Sequence, residues 1–120
     1  MPLVFKKVTE YDWDVTVQTP YKGKFKKETF TAKFKNVSRK DFDKMIDGGD
    51  DNFVKTVLVG WSGIKDEEGN DVPFDDDNLE AVMENHYIVQ AIIVAYGESM
   101  KGASEKNLER LRSIGYRVML

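Results

Sequence analysis

At Ser38 the hydrophobic rhythm of this chain changes from two residues to between three and four. That switch limits the fold more than any other feature. Before it, Trp13, Val15 and Val17 alternate with Asp14, Thr16 and Gln18, the pattern of a strand with one face in a core and one in water. Phe30, Ala32 and Phe34 alternate in the same way with Thr29, Thr31, Lys33 and Lys35. Between the two runs stands Pro20-Tyr21-Lys22-Gly23, where proline presets φ and glycine accepts a positive one. The spacing predicts an antiparallel hairpin, since antiparallel neighbours need only a short link. Lysines on its exposed side, with Lys24, Lys26 and Lys27, oppose edge-to-edge aggregation. Upstream, Leu3, Phe5 and Val8 read as a short edge strand or an ordered arm.

From Ser38 onward helices are expected. Ser38 with Asp41 makes an imperfect capping box, and Phe42, Met45 and Ile46 form a short buried stripe. Gly48-Gly49 ends this helix. Asp50 or Asp51 is expected to cap a second one, with Phe53, Val54, Val57, Leu58 and Trp61 on its apolar face. The β-branched Val57 and Val59 leave a strand as the lesser alternative there. Residues 62–74 read as a turn-rich loop or small hairpin centred on Glu68-Gly69-Asn70. Asp75-Asp76-Asp77-Asn78 places carboxylates where helix N-terminal amides lack partners, and Leu79, Val82 and Met83 give that third helix its apolar side. Asn85 ends it and caps a fourth, in which Ile88, Ala91, Ile92, Ala95 and Tyr96 recur at helical spacing. Gly97 and Gly102 loosen the chain beyond. Ala103 to Arg112 reads as a sparse helix, and Tyr116, Val118 and Leu120 alternate like a last strand.

Strands followed by helices make the fold class α+β: an N-terminal antiparallel β-hairpin, then a small bundle of about four helices. The 120 residues suit one domain over 1–120. Residues 1–37 are its β-rich portion, 38–102 its helical portion, and 103–120 a tail that covers the core or orders on a partner.

Composition removes several chemistries. Without cysteine there is neither a disulfide framework nor a thiolate metal site, and the single histidine, His86, cannot supply a multi-histidine one. The N-terminal residues lack the apolar run of about 7–15 residues of a secretory leader. Ile88 to Tyr96 is about half the length that spans a bilayer. Hydrophobic residues at 41% and charged residues at 32% fit a soluble protein in a reducing cytoplasm. The net charge of −3 conceals zoning: residues 1–44 carry eleven Lys/Arg against six Asp/Glu, residues 45–100 two against thirteen, and residues 101–120 five against two. Such zoning steers binding to a charged surface or balances charge within the fold.

Specific sites fail on register. A calcium loop starting at Asp66 would place Gly69 at its fourth position rather than its sixth, and Asp77 at its twelfth. Carboxylates abound, yet no pair is marked out for acid–base work. His86 lacks a recognisable nucleophile and orienting carboxylate. Gly60, Gly63 and Gly69 do not make a phosphate loop. The basic first third, with Phe25, Phe30 and Phe34, lacks an RNA-recognition signature, and the acidic middle repels phosphate. Trp61, Val72 and Phe74 either pack beneath their loop or form an apolar docking patch.

The ordered run Val59-Gly60-Trp61-Ser62-Gly63-Ile64, then Asp66-Glu67-Glu68-Gly69-Asn70-Asp71-Val72-Pro73-Phe74, then Asp77-Asn78-Leu79 resembles the tail assembly chaperones of long-tailed phages and prophages. Those proteins have a W-x-G-v segment, an acidic D-x-x-G turn, a p-f pair and an n-l helix start in that order. Ile88 to Tyr96 and Glu105-Lys106-Asn107 are similar to the family's C-terminal portion. The resemblance covers residues 40–107. Where family members often carry proline before the last core helix, this chain has Asn85-His86-Tyr87.

The resemblance implies a non-enzymatic assembly factor of the bacterial host cytoplasm, without cofactor or metal. It would bind the tape-measure protein, with the tail tube protein as a second partner, and would self-associate. It also implies a longer product made by programmed frameshifting. Nucleic acid and membrane are not among its expected partners. The expected partner-binding residues are Phe53, Val57 and Trp61 on one helix, Phe74 in the loop, and Ile88, Ile92 and Tyr96 on the last helix, with core packing the alternative for each. Competing readings are a structural tail completion or tube-associated protein retained in the particle and, remotely, a small hydrolase using His86.

Overall fold

The computed structural model describes residues 1–7 and 9–100. Val8 and the expected helix and strand beyond residue 100 lie outside the described residues. Two long strands, β1 (Glu10–Tyr21) and β2 (Lys24–Lys35), pair antiparallel in unbroken register from Glu10↔Lys35 to Tyr21↔Lys24. The hairpin turns on Lys22 at φ 50 and Gly23 at φ 77. Two successive positive φ values match the right-handed twist of the strands, and glycine takes the second without steric cost. At the open end Asn36 and Thr9 lock the ladder. The Asn36 amide donates to the Thr9 carbonyl at 2.9 Å, and the Thr9 amide donates to Asn36 Oδ1 at 2.7 Å. The arm of residues 1–7 takes no strand, and Leu3, Val4 and Phe5 are exposed.

The alternation expected of the hairpin holds except at Trp13, which is 39% exposed near the open end of β1. Val15, Val17, Phe30, Ala32 and Phe34 are buried. On the opposite face the pairs are polar: Thr31 donates to Asp14 at 3.1 Å, and the Thr16 and Thr29 hydroxyls share a 3.2 Å bond. One face meets the helices and the other meets water, the usual arrangement of an antiparallel sheet.

Helix α1 (Arg39–Asp47) starts as expected, with the Asp41 amide donating to Ser38 Oγ at 3.1 Å. It buries Phe42 and Met45. Helix α2 (Gly49–Val57) follows almost without a link, because Gly49 turns the chain at φ 87, a value that an L side chain resists. Neither Asp50 nor Asp51 caps α2. Gly48 is its N-cap, no side chain bonds there, and the two aspartates stand in the first turn, where the helix dipole favours them.

The expected helix from Phe53 to Trp61 is two elements. Helix α2 stops at Val57, and Leu58–Ser62 is a third strand, β3, pairing antiparallel with β2. Its β-branched Val59 and its Gly60 lose little by leaving a helix, and the free edge of β2 satisfies the strand's backbone groups. The sheet order is β1-β2-β3. The register shifts between Lys33 and Phe34: Lys33 faces Gly60 but Phe34 faces Leu58. Val59 is therefore an extra residue, a bulge. Leu58 and Trp61, three apart, would point to opposite faces of a regular strand. The bulge puts both on the core face, opposite Phe34 and Ala32.

Helix α3 (Asp76–Met83) starts with the Asn78 amide donating to Asp75 Oδ1 at 2.8 Å. Helix α4 (His86–Ser99) starts with the Tyr87 and Ile88 amides donating to Asn85 Oδ1 at 2.9 and 3.2 Å. Both caps agree with the sequence reading. Gly97 does not loosen α4; it is buried within it. Helix α4 packs on β1, α2 and α3. Its C-terminal half is pinned to the hairpin: Tyr96 donates to the Lys35 carbonyl at 3.3 Å, and the Tyr11 hydroxyl shares a 2.8 Å bond with Ser99 Oγ. A run of edge-to-face rings crosses the core from Tyr11 through Phe34 and Tyr96 to Phe53, with centroids 6.1, 5.3 and 5.6 Å apart. Each such pair adds about 0.5–1.5 kcal/mol beyond area burial.

Candidate functional site

The segment after β3 is a closed module. Its two limbs meet at Lys65 and Asp71, which bridge through the backbone and pair through their side chains. The Val72 amide donates to the Ile64 carbonyl and the Asp66 amide to the Asn70 carbonyl, both at 2.9 Å. Within the turn, Asp66 Oδ1 accepts from the Glu68 and Asn70 amides, again at 2.9 Å each. One carboxylate thus orders the turn from inside, as aspartates do at such positions. The remaining acids, Glu67 and Glu68, stand in water.

Trp61 fastens this module to the sheet. Its Nε1–H donates to the Val72 carbonyl at 2.7 Å, and the Phe74 ring meets the indole edge-on at 4.8 Å and 82°. Beyond, Asn78 Nδ2 donates to the Pro73 carbonyl at 3.0 Å and to Asp75 Oδ2 at 3.2 Å, so the p-f pair is tied directly to the start of α3. Trp61, Ile64, Val72 and Leu79 are half-buried, and Phe74 is 36% exposed. The result is a fixed apolar ledge rimmed by carboxylates.

The seven expected partner-binding residues separate into two groups. Phe53, Val57, Ile92 and Tyr96 are 0–1% exposed, inside the core formed by the sheet, α2 and α4. Trp61, Phe74 and Ile88 reach the surface. Val89 and Ile93, absent from the helical stripe read in the sequence, are buried at 5% and 0%. Helix α4 is apolar around most of its circumference, so periodicity could not separate its inner from its outer side. The Tyr96 hydroxyl is pushed well above its usual range, first by burial and then by the nearby Tyr11; burial also raises Tyr11.

His86 stands at the mouth of a recess of about 280 Å³ between α2, α3 and α4, with Asp50, Asp51, Glu80, Glu84, Met83 and Val89 around it. His86, Asp51, Glu80 and Glu84 are exposed, and Asp50 is half-buried. Glu80 pairs with Lys55 at 2.6 Å and holds that ammonium above its usual pKa range, by hydrogen bonding first and charge second. Among the described residues no polar or charged residue is fully buried. Among them also, no group of three His, Asp or Glu is placed to hold a metal ion, and no helix is long and apolar enough to cross a membrane.

A surface that the sequence reading took as a turn and a solvated face is the tip of the hairpin. Tyr21 is 56% exposed and Phe25 68%, among Lys22, Lys24, Lys26 and Lys27. Tyr21 continues the odd-numbered alternation of β1, whereas Phe25 falls off the alternation of Phe30, Ala32 and Phe34 and stands among lysines.

Comparison with known proteins gives one family match and no match among curated proteins or solved structures. The family model that matches is that of the YdaY prophage protein, over residues 18–112. The match takes in the hairpin from Gln18, both halves of the Trp61–Phe74 module and the last described helix. The motifs that resemble those of phage tail proteins thus stand on a prophage chain, and the protein belongs to the YdaY prophage protein family.

Proposed function

We propose that this prophage protein is a non-enzymatic tail assembly chaperone that holds the tape-measure protein in a soluble, assembly-ready state. The observation that supports this reading is the Trp61–Phe74 module. The residues that resemble the chaperone motifs, Trp61, Gly63, Asp66, Gly69, Pro73, Phe74 and Asn78, lie in one hydrogen-bonded unit at the edge of the sheet. A rigid ledge with a half-buried tryptophan and a partly exposed phenylalanine suits an apolar segment of a helical partner, because aromatic anchors in a fixed setting lose little entropy on binding. The surrounding carboxylates favour partners with basic flanks and disfavour acidic ones.

Of the residues expected to contact the partner, Trp61, Phe74 and Ile88 are the accessible ones, and the proposal rests on them. Phe53, Val57, Ile92 and Tyr96 support the ledge through the core.

Co-expression with the tape-measure protein encoded by the neighbouring genes tests the reading. The expected result is a co-purifying complex, with the tape measure insoluble when expressed alone and the chaperone missing from finished particles by mass spectrometry. A tape measure that is soluble alone and forms no complex at micromolar concentration overturns it. Presence of the protein in finished particles moves the assignment to a structural tail component.

A further inference from the structure

Beyond Val17 and Glu28 the hairpin leaves the core. Every residue from Gln18 to Glu28 except the half-buried Thr19 is exposed. The strands nevertheless stay paired to the final rung, Tyr21↔Lys24. Four paired rungs extend about 13 Å, so the projection is a stiff arm rather than a mobile loop. It carries two large exposed rings, Tyr21 and Phe25, and four lysines. The Lys22 and Lys26 ammonium groups lie 5.2 and 5.9 Å from the Tyr21 ring centre. Tyr21 pairs with Lys24 and Phe25 with Pro20, so the two rings stand on opposite faces of the tip. Each offers exposed apolar surface for a contact, and the lysines set the charge of what the tip meets.

The complementary surface is on the same chain. Residues 45–100 carry thirteen carboxylates against two lysines. Where α2, α3 and α4 meet, the recess is lined by Asp50, Asp51, Glu80, Glu84, Met83 and Val89, with Glu80 already paired to Lys55 and Val89 nearly covered. Its volume of about 280 Å³ is that of a pocket just below the usual small-ligand range, enough for one aromatic side chain. Within one molecule the arm does not fill it: Tyr21 and Phe25 are exposed, and no hairpin residue lines the recess.

We infer that the hairpin arm of one copy docks into the acidic recess of a second copy, with a ring of the tip against the half-buried Met83 and its lysines against the carboxylates. The contact joins unlike surfaces. It closes into a symmetric dimer when exchanged reciprocally, and into a ring or chain when it runs one way. The chaperone resemblance already implies self-association; the arm and the recess as the surfaces that make it rest on exposure and charge, and they fail or stand apart from tape-measure binding.

Sedimentation velocity of the full chain tests the inference in about 0.01 M and about 1 M salt, where the screening length falls from about 30 Å to about 3 Å. The expected result is a dimer or larger species at low salt and monomer at high salt. Reversing the arm (Lys22→Glu, Lys24→Glu, Lys26→Glu and Lys27→Glu) is expected to weaken association at least about tenfold. Reversing the recess (Asp51→Lys with Glu84→Lys) is expected to do the same, and mixing the two variants to restore a hetero-complex. Tyr21→Ser with Phe25→Ser gives a charge-neutral check at exposed positions, with circular dichroism confirming the fold. A chain that is monomeric at both salts, association indifferent to the arm, or mixed variants that stay apart each overturn the inference. So does an arm-dependent, salt-sensitive complex of monomeric protein with a labelled DNA duplex.

Discussion

The Trp61 indole N–H donates to the backbone carbonyl of Val72 at 2.7 Å, tying the last strand of the sheet to the far limb of the loop that follows it. Around that bond the loop closes, and Phe74 finds its place against the ring. Trp61→Phe keeps an aromatic ring but removes the donor. It is expected to cost about 1 kcal/mol, seen as a lower urea midpoint with unchanged slope. Trp61→Ala also loses the ring pair, worth about 0.5–1.5 kcal/mol, and is expected to be the more damaging of the two.

Phe53 has 1% of its surface exposed and stacks edge-on with Tyr96. Phe53→Ala is expected to cost about 3–5 kcal/mol, against a total stability of about 5–15 kcal/mol for a domain of this kind. Thermal unfolding and near-ultraviolet circular dichroism should both register that loss. Any fall in partner capture by this variant should follow the unfolded fraction, whereas Phe74→Ala should lower capture in a protein that remains folded.

The hydroxyls of the buried Tyr96 and the half-buried Tyr11 give the fold an alkaline limit. Both have folded-state pKa values raised above the ordinary 10.0, mainly by desolvation. The folded state therefore binds more protons than the unfolded state above pH 10. Stability is complete below that pH and falls as pH rises toward the folded values. Urea midpoints measured from neutral pH to above pH 10 should decline at the alkaline end, and Tyr96→Phe should make the decline shallower.

Three helix starts depend on side-chain caps, at Ser38, Asp75 and Asn85, and that of α2 does not. Asp75→Ala and Asn85→Ala each remove the acceptor for helix N-terminal amides and are expected to cost about 1 kcal/mol apiece. Asp51→Ala touches a helix whose N-cap is Gly48 with no side-chain bond. It loses only a dipole interaction of about 0.3–1 kcal/mol. Chemical denaturation should show Asp51→Ala as the mildest of the three.

These local features were readable from the residues. The hairpin alternation, the Ser38, Asp75 and Asn85 caps and the turn on Glu68-Gly69-Asn70 each depend on neighbours within a few positions, so sequence spacing carries them. The Trp61–Phe74 segment was also recognisable as an ordered unit. Its hydrogen bond and ring geometry were not, because both depend on how the loop returns. The inner face of α4 was only partly readable, since Val89 and Ile93 sit on an almost wholly apolar helix. The exposed rings of Tyr21 and Phe25 were visible as residues but not as a surface, because exposure depends on where the core ends.

By itself the sequence determined an α+β order, the hairpin and most of the helix starts, all of them products of local backbone preference and apolar period. The register, with Pro20 and Tyr21 paired in β1 rather than in the turn, came from the structure. The tertiary structure alone decided the fate of Leu58–Ser62. Among them Leu58, Val59 and Trp61 carry apolar side chains compatible with either a helix or a strand, and the free edge of β2 settled the matter by pairing the backbone. It also set the bulge that turns Leu58 and Trp61 to the same face. A long-range hydrogen-bond ladder has no signature in the spacing of the strand it recruits, and the position of Trp61, with everything its ring holds in place, follows from that ladder.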